Sequence, residues 1–480
     1  MKYKPIAWIE LAVIILLIIL LLGSHISLEN KKPVVREPLA LTESKISYLP
    51  PPHPKPSVDD LRNLAELKKK FTPRIIKITE DVYHATGFAL GNVQMVITDE
   101  GLVIIDTTES KESAEEILKE FRKITKKPIK YIIYTHAHFD HVLGSSVFKE
   151  KNTKVITVQA AVHELENSFG EMADFYNRCR QIQFGEIAEE YVRKRPVKSP
   201  VRLPGRLDRN DIVWPDIIFE TEYSFTLGGK LFQLYRTIGE TRGHLMVWLP
   251  KKKVLFCGDL YYKSFPNLSS PMLEPRPVKS WYESLDRMAE LKAEFLVPGH
   301  TEAVIGAAKV AEALTDRSRA IRWVYHQTLK CINEGKSVEK AILLVKLPPE
   351  LSQKKQFQES YGRVDWSVRG IYQSKIGWYN GAGTGLNPMP SGYHERELVH
   401  LAGGADKILV RAIECQKAKE HQLALELCDI VIRANPDDKT ARAIKAGSLE
   451  NMAYTIGNLN MFGFYRSAAA LERKAAGIKP

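Results

Sequence analysis

Between residues 134 and 141 the chain reads Tyr134-Thr135-His136-Ala137-His138-Phe139-Asp140-His141, with three histidines and an aspartate inside six residues. Imidazole nitrogens and carboxylate oxygens are the donors that hold a hydrolytic divalent ion. His136 and His138, two apart, can converge on one ion, and Asp140 and His141 can reach a second one nearby. Ions held in this way acidify water, so the cluster by itself points to a binuclear hydrolytic site. Helix caps or surface histidines would not need this density.

The surrounding pattern says what positions the cluster. The apolar run 131–134 reads as a buried strand and Val142-Leu143-Gly144 as a helix start, so the donors sit at the carboxyl end of a strand, where α/β sheets place their chemistry. Strands are predicted at 88–90, 93–98, 102–106, 129–134 and 155–158. Helices are predicted at 110–126, where Ala114, Ile117, Leu118, Phe121 and Ile124 recur at helical spacing, and at 160–180. Asp106 ends its strand on the same side, where it either orients a metal-binding imidazole or caps the helix that starts near Ser110. Residues 181–222 mix Tyr191, Arg202, Arg206, Trp214 and Phe219 without a period, as an insertion over a site or as plain surface. Strands return at 225–227, 232–235, 245–249 and 254–257, with hairpin turns at Gly228-Gly229 and 250–253. They carry Gly239-Glu240-Thr241-Arg242-Gly243-His244, Gly258-Asp259 and Leu296-Val297-Pro298-Gly299-His300, each at a strand end.

Past residue 306 the pattern turns helical, at 307–331 and 337–344. From 405 to 475 a run of antiparallel helices (408–418, 421–434, 440–452) is broken at Asn435-Pro436-Asp437-Asp438. This Ala/Leu-rich hairpin is tetratricopeptide-like, and such stacks make interfaces more often than active sites.

Composition bounds the partners. The 480 residues allow two to four domains, and 44% apolar with 26% charged residues is ordinary for a folded chain. The net charge of +12 is spread among acidic residues, a solvated basic surface that attracts small anions. Nucleic acid would call for a basic groove with stacking aromatics, and none is patterned. The five cysteines are scattered and odd in number with no CxxC, which argues against a disulfide framework or a cysteine metal site. Met1-Lys2-Tyr3-Lys4 precedes an apolar stretch from 6 to 26 whose only charge is Glu10, long enough for a tilted spanning helix. With only a weak cleavage site at Gly23-Ser24, residues 1–26 are read as an uncleaved signal-anchor. The catalytic part would then be periplasmic or otherwise extracytoplasmic, or secreted if the segment is removed. A proline-bearing spacer follows, with Pro50-Pro51-Pro52-His53-Pro54-Lys55-Pro56 at its centre and a short helix predicted at 59–70.

Taken in order, His136-x-His138-x-Asp140-His141, Gly243-His244, Asp259 and Gly299-His300 resemble the ligand series of the metallo-beta-lactamase superfamily. The resemblance implies an α/β, four-layer αββα fold, here with a C-terminal all-helical domain. It implies that His136, His138 and His244 hold one metal, that Asp140, His141 and His300 hold another, and that Asp259 bridges them. Two zinc ions are expected, with iron or manganese left open. Residues 345–390, including Leu347-Pro348-Pro349, Gly370-Ile371-Tyr372 and Gly377-Trp378-Tyr379-Asn380-Gly381, are similar to the linear alkyl sulfatases of that superfamily. Leu401-Ala402-Gly403-Gly404-Ala405-Asp406 and the helices behind it look like their dimerisation domain. The implied division is 1–26 anchor, 27–80 spacer, 81–345 catalytic domain, 346–400 linking and pocket segment, and 401–480 helical domain forming a homodimer.

The resemblance implies hydrolysis of a sulfate ester of an alkyl or other amphipathic molecule, with Asp140, Asp259 and Glu240 as catalytic groups. Departures keep a different ester, a lactone or a phosphodiester in view, and behind those a non-enzymatic metal-containing scaffold. The family is acidic where this chain has His244 and Asp259, while Glu240 falls on a functional glutamate of the family, as an extra ligand or a hydrogen-bonding group. Asn267 matches the family's His-Asn-Leu-Tyr element, but the Thr-Leu-Arg that follows it is missing and only Arg276 lies nearby. Thr301 stands where a second histidine is expected, and Tyr361-Gly362-Arg363 replaces part of Arg-Gly-Tyr-Tyr-Gly. The candidate contacts for a substrate anion are therefore Asn267, Lys263, Arg276, Arg363 and Arg369.

Overall fold

The computed structural model describes residues 72–188, 205–379 and 382–478. The expected anchor at 1–26, the spacer up to residue 71 and its helix at 59–70 lie outside them, as do Tyr191 and Arg202. Among the described residues no helix is long and apolar enough to cross a membrane.

Two sheets face each other. The first has seven strands in sequential order: β1 (Arg74–Lys77), β2 (Val82–Thr86), β3 (Val93–Ile97), β4 (Leu102–Ile105), β5 (Ile129–Ile133), β6 (Lys154–Val158) and β7 (Ile217–Phe219). Its β1–β4 half is antiparallel and its β4–β7 half parallel. The second runs β13-β12-β11-β10-β9-β8, from β8 (Glu222–Leu227), β9 (Lys230–Thr237), β10 (His244–Leu249), β11 (Val254–Gly258), β12 (Phe295–Pro298) and β13 (Val304–Ile305). Val96, Val103, Ile133 and Ile156 of the first sheet meet Leu234, Val247, Phe256 and Val297 of the second in one core. Central strands β10 and β11 are buried at every residue, as their unbroken apolar runs require, whereas edge strand β8 alternates in burial.

Helices close both outer faces. On the first sheet, α1 (Lys111–Ile124) buries Ala114, Ile117 and Phe121. The short α2 (Phe139–Val142), α3 (Gln159–Glu166) and α4 (Ala173–Gln183) follow. On the second sheet, α5 (Val278–Glu290) and α6 (Ala307–Asn333) pack Trp281, Leu285 and Val324 against Met246, Leu255 and Leu296. The order helix, sheet, sheet, helix is the four-layer arrangement. After α7 (Val364–Lys375), antiparallel helices α8 (Ala405–Lys417), α9 (His421–Ala434), α10 (Lys439–Thr455) and α11 (Leu459–Ala475) build the helical domain.

The structure departs from the sequence expectations in three places. Residues 88–90 are loop rather than strand, because their backbone turns inward to bond side chains of the site. The first sheet begins at Arg74, before the boundary expected at 81, since β1 pairs with β2. The helix expected at 160–180 is broken by a wide π-turn at Asn167–Glu171, which separates α3 from α4.

Candidate metal centre

The first sheet delivers His136, His138, Asp140 and His141 just past β5, and the second delivers Asp259 after β11 and His300 after β12. Backbone bonds join the sheets at this point: Leu245 N donates to Thr135 O at 2.8 Å and Asn92 N to Gly299 O at 2.8 Å. The close approach depends on glycine. Gly258 has φ 48°, and a Cβ there would come within 2.6 Å of His244 Nε2 and 2.7 Å of Thr135 Oγ1.

Donor atoms converge in two groups, His136 with His141 and Asp259, and Asp140 with His141 and His300, each within 4.8 Å of one another. His136 Nε2 lies 3.0 Å from His138 Nδ1 and 3.7 Å from Asp259 Oδ2. His300 Nε2 lies 3.0 Å from Asp259 Oδ2 and 3.3 Å from Asp140 Oδ2. Donors around a tetrahedral zinc sit about 3.3 Å apart, so these spacings suit shared ions. His141 Nε2, Asp259 Oδ1 and Glu240 Oε2 are buried without a hydrogen-bond partner. Buried polar atoms left this way are costly unless something else binds them. The residues present therefore fit a divalent cation.

Electrostatics agree. His136 and His138 are held well below their ordinary pKa, by burial first and then by neighbouring imidazoles or Arg276, so their lone pairs stay available. Burial opposes ionisation of Asp259, yet the facing His300 and His141 keep its carboxyl well below the usual range. His300 is raised to about 9, against burial, by Asp259 and Asp140. The carboxylates thus favour positive charge between them, as a cation site must.

Three of the imidazoles, those of His141, His136 and His300, are aimed by their other nitrogen. Asp106 Oδ2 lies 2.8 Å from His141 Nδ1, and the same carboxylate accepts from Thr135 N and Thr135 Oγ1 at 2.8 Å each. Helix α1 is capped by Ser110 instead, which settles the two readings of Asp106 in favour of orienting an imidazole. Its backbone is held at φ 56°, a left-handed conformation that costs roughly 1–3 kcal/mol and aims the carboxylate inward. His136 Nδ1 lies 3.0 Å from Thr135 Oγ1, and His300 Nδ1 lies 2.8 Å from Leu90 O.

His244 behaves differently. It is buried and stacked on His136, with ring centroids 4.9 Å apart. Its Nδ1 lies 3.0 Å from Thr237 Oγ1, and its Nε2 accepts from Asp259 N at 3.1 Å. Both nitrogens have protein partners and His244 joins neither of the two donor groups, so the structure does not bring it together with the expected first-metal ligands; the ring props the Asp259 loop from behind. Glu240, four residues earlier, has the free donor. Its Oε1 accepts from Arg276 Nη2 at 3.1 Å while Oε2 is unpartnered. Burial, chiefly, raises its pKa to about 7.

The anion candidates separate. Arg276 lies at the site, its side chain 9% exposed and its Nε without a partner. Asn267 is buried with Oδ1 unpartnered. The other three are corrected. Lys263 is exposed and pairs with Glu302 at 3.5 Å; Arg363 forks onto Asp365 at 2.8 Å; Arg369 is exposed on α7. Sequence reasoning missed Glu109, whose buried carboxylate accepts from Leu90 N, Gly91 N and Thr108 Oγ1 and so pins the loop that holds His300. It also missed Tyr262 and Tyr361, whose rings cross at 90° beside His300. Only the Asp-Thr-Thr-Glu run after β4 hinted at Glu109, and nothing local marks the tyrosines.

The chain matches the model of the metallo-beta-lactamase superfamily over residues 86–300 and that of the alkyl sulfatase dimerisation domain over 338–475. A linear primary-alkylsulfatase of Pseudomonas sp. is 31% identical over 393 residues, covering 80% of this chain and 74% of the relative. The chain belongs to the alkyl sulfatase family of the metallo-beta-lactamase superfamily. Another alkyl sulfatase relative, an alkyl/aryl-sulfatase of Saccharomyces cerevisiae, is 28% identical, covering 79% of this chain and 61% of the relative. The fold of the stereoselective inverting sec-alkylsulfatase Pisa1 from Pseudomonas sp. superposes with a TM-score of 0.79 at 24% identity, over 89% of this chain and 69% of that one. In this alkyl sulfatase family member the dimerisation match begins at residue 338, well before the helical domain expected from 401.

Proposed function

We propose that this protein hydrolyses sulfate esters of long-chain alkyl or similar amphipathic molecules at a binuclear zinc centre formed by the residues above. The observation that carries this reading is the convergence of donors from both sheets around His141 and Asp259, whose Nε2 and Oδ1 are buried and unpartnered, in a member of the alkyl sulfatase family. His136, His138 and Glu240 would hold one ion, with Glu240 in the place first expected for His244. Asp140, His141 and His300 would hold the other, and Asp259 faces both. Zinc bound there supplies Lewis acidity, lowering the pKa of water and taking up charge that develops on the ester oxygens.

The protein's own groups do the rest. Asp140 and Asp259 place acceptor oxygens on the floor, where they orient the attacking water. Arg276, anchored by Glu240, offers its unpartnered Nε to the substrate's anionic group. Tyr262 and Tyr361 form a wall that limits water around the ester. The helical domain forms the homodimer that its family model describes. The apolar stretch at 6–26 anchors the enzyme beside a membrane, with the catalytic part extracytoplasmic, where amphipathic esters partition.

The test is metal analysis of the purified protein together with inorganic sulfate release from dodecyl sulfate. An aryl sulfate, a p-nitrophenyl ester and bis-p-nitrophenyl phosphate are run beside it. About two equivalents of metal and preferred turnover of dodecyl sulfate are expected. Turnover of another ester with no release of sulfate would overturn the substrate assignment.

A further inference from the structure

The last helix of the helical domain reaches into the catalytic half. Leu459 N donates to Ser360 O at 2.9 Å, Asn458 Nδ2 to Glu359 O at 2.7 Å and Ser467 Oγ to Ile182 O at 2.9 Å. A Cβ on Gly463 would lie 1.7 Å from Gln183 O, so only glycine permits this contact. Both segments that α11 touches supply one member of a short hydrogen-bond chain ending at the site, and the direction of that chain can be deduced.

The backbone carbonyl of Tyr361 can only accept. Asn460 Nδ2 lies 3.2 Å from it, which orients that amide and turns Asn460 Oδ1 toward Gln183. Gln183 Nε2, 2.8 Å from that oxygen, must then be the donor. The same nitrogen lies 3.1 Å from the Tyr361 hydroxyl oxygen and spends its second hydrogen there. Reversing either amide would set two acceptors against each other. The phenol oxygen is therefore an acceptor within the protein, and its own hydrogen has no acceptor among the described residues.

We propose that Asn460, acting through Gln183, directs the Tyr361 O–H into the site, where it donates to an oxygen of the bound ester. Asn460 and Gln183 are positioning residues, and Tyr361 is the group that meets substrate. Burial first, and then the charges of Glu240, Asp140 and Asp259, push the phenol above its ordinary pKa, so the hydrogen is retained. The Tyr361 ring lies 6.4 Å from that of Tyr262, which in turn lies 6.2 Å from the imidazole of His300, so the phenol stands beside the metal centre. The inference rests on the hydrolytic reading above and deepens it: the helical domain does more than dimerise, because it sets the polarity of a substrate contact.

Three variants of the full-length protein test this with dodecyl sulfate. Tyr361→Phe should lower kcat/KM about 10- to 100-fold at every pH with metal content unchanged. Gln183→Glu introduces an acceptor that draws the Tyr361 hydrogen away when ionised and donates again when protonated. Its kcat/KM relative to the unsubstituted protein should therefore be low at neutral pH and recover as pH falls. Asn460→Leu frees Gln183 to rotate and should cost several-fold. Unchanged kcat/KM in Tyr361→Phe, or a Gln183→Glu ratio flat with pH, overturns the proposal; an unchanged Asn460→Leu removes Asn460 from it. If the unsubstituted protein turns over a different ester and no sulfate, the substrate assignment fails, and the same comparison on that ester still decides the role of Tyr361.

Discussion

The floor of the site and its wall are built on opposite plans. On the floor, donor loops are pinned by backbone bonds and three imidazoles are aimed by fixed partners: Asp106 for His141, Thr135 for His136, Leu90 O for His300. On the wall, Arg276 and Tyr361 are held by side chains of other segments, Glu240 and Gln183, and the Tyr262 hydroxyl accepts from the Asn267 backbone N–H. The wall can change partners without disturbing the floor.

The contrast is broken most directly by removing a floor donor. Asp259→Ala or His141→Ala should abolish turnover, by about 10³-fold or more, and remove roughly one equivalent of metal by elemental analysis. The paired substitutions Glu240→Gln and His244→Asn come next. The first should lower activity about 10²-fold and release metal readily, and the second should leave metal stoichiometry intact; the reverse result would restore His244 as the ligand. Asp106→Asn, which keeps the shape but weakens the bond to His141, should loosen metal binding about 10- to 100-fold in a chelator competition.

A smaller effect comes from His84, buried under the loop of His300, where its Nε2 lies 3.1 Å from Thr301 O. Burial, chiefly, lowers its pKa from 6.5 to about 4. Below pH 6.5 the unfolded chain takes up a proton that the folded chain refuses. Stability from this group is thus complete above about pH 6.5 and is lost as pH falls toward 4, about 3 kcal/mol in all. Thermal melts of His84→Gln should show that much less acid sensitivity. At the bottom of the scale, Lys263→Ala and Arg369→Ala should stay within about twofold in activity, since both side chains spend themselves at the surface.

How much of this was legible depended on whether a residue's role is local. The donors at 136–141, Asp259 and His300 were readable because strand ends impose short, typed spacings, and the helical domain was readable from its period. His244 reads as a ligand from its position after Gly243, while only the fold shows that Asp259 N and Thr237 already meet its nitrogens. Lys263, Arg363 and Arg369 were chosen for charge, and charge does not say which carboxylate is nearer. Glu109, Tyr262 and Tyr361 were hidden for the opposite reason: their partners are distant in sequence. The loop at 88–90 read as a strand by composition, but Glu109 claims its amides.

The backbone bridge from Leu245 to Thr135 bears on the order of assembly. Everything the first sheet contributes has been synthesised by Phe219, whereas His300 follows about 80 residues later. A growing chain therefore exposes a half-set of three histidines and an aspartate well before the carboxylate and imidazole that complete it. The complete donor set therefore exists only once the second sheet has docked on the first.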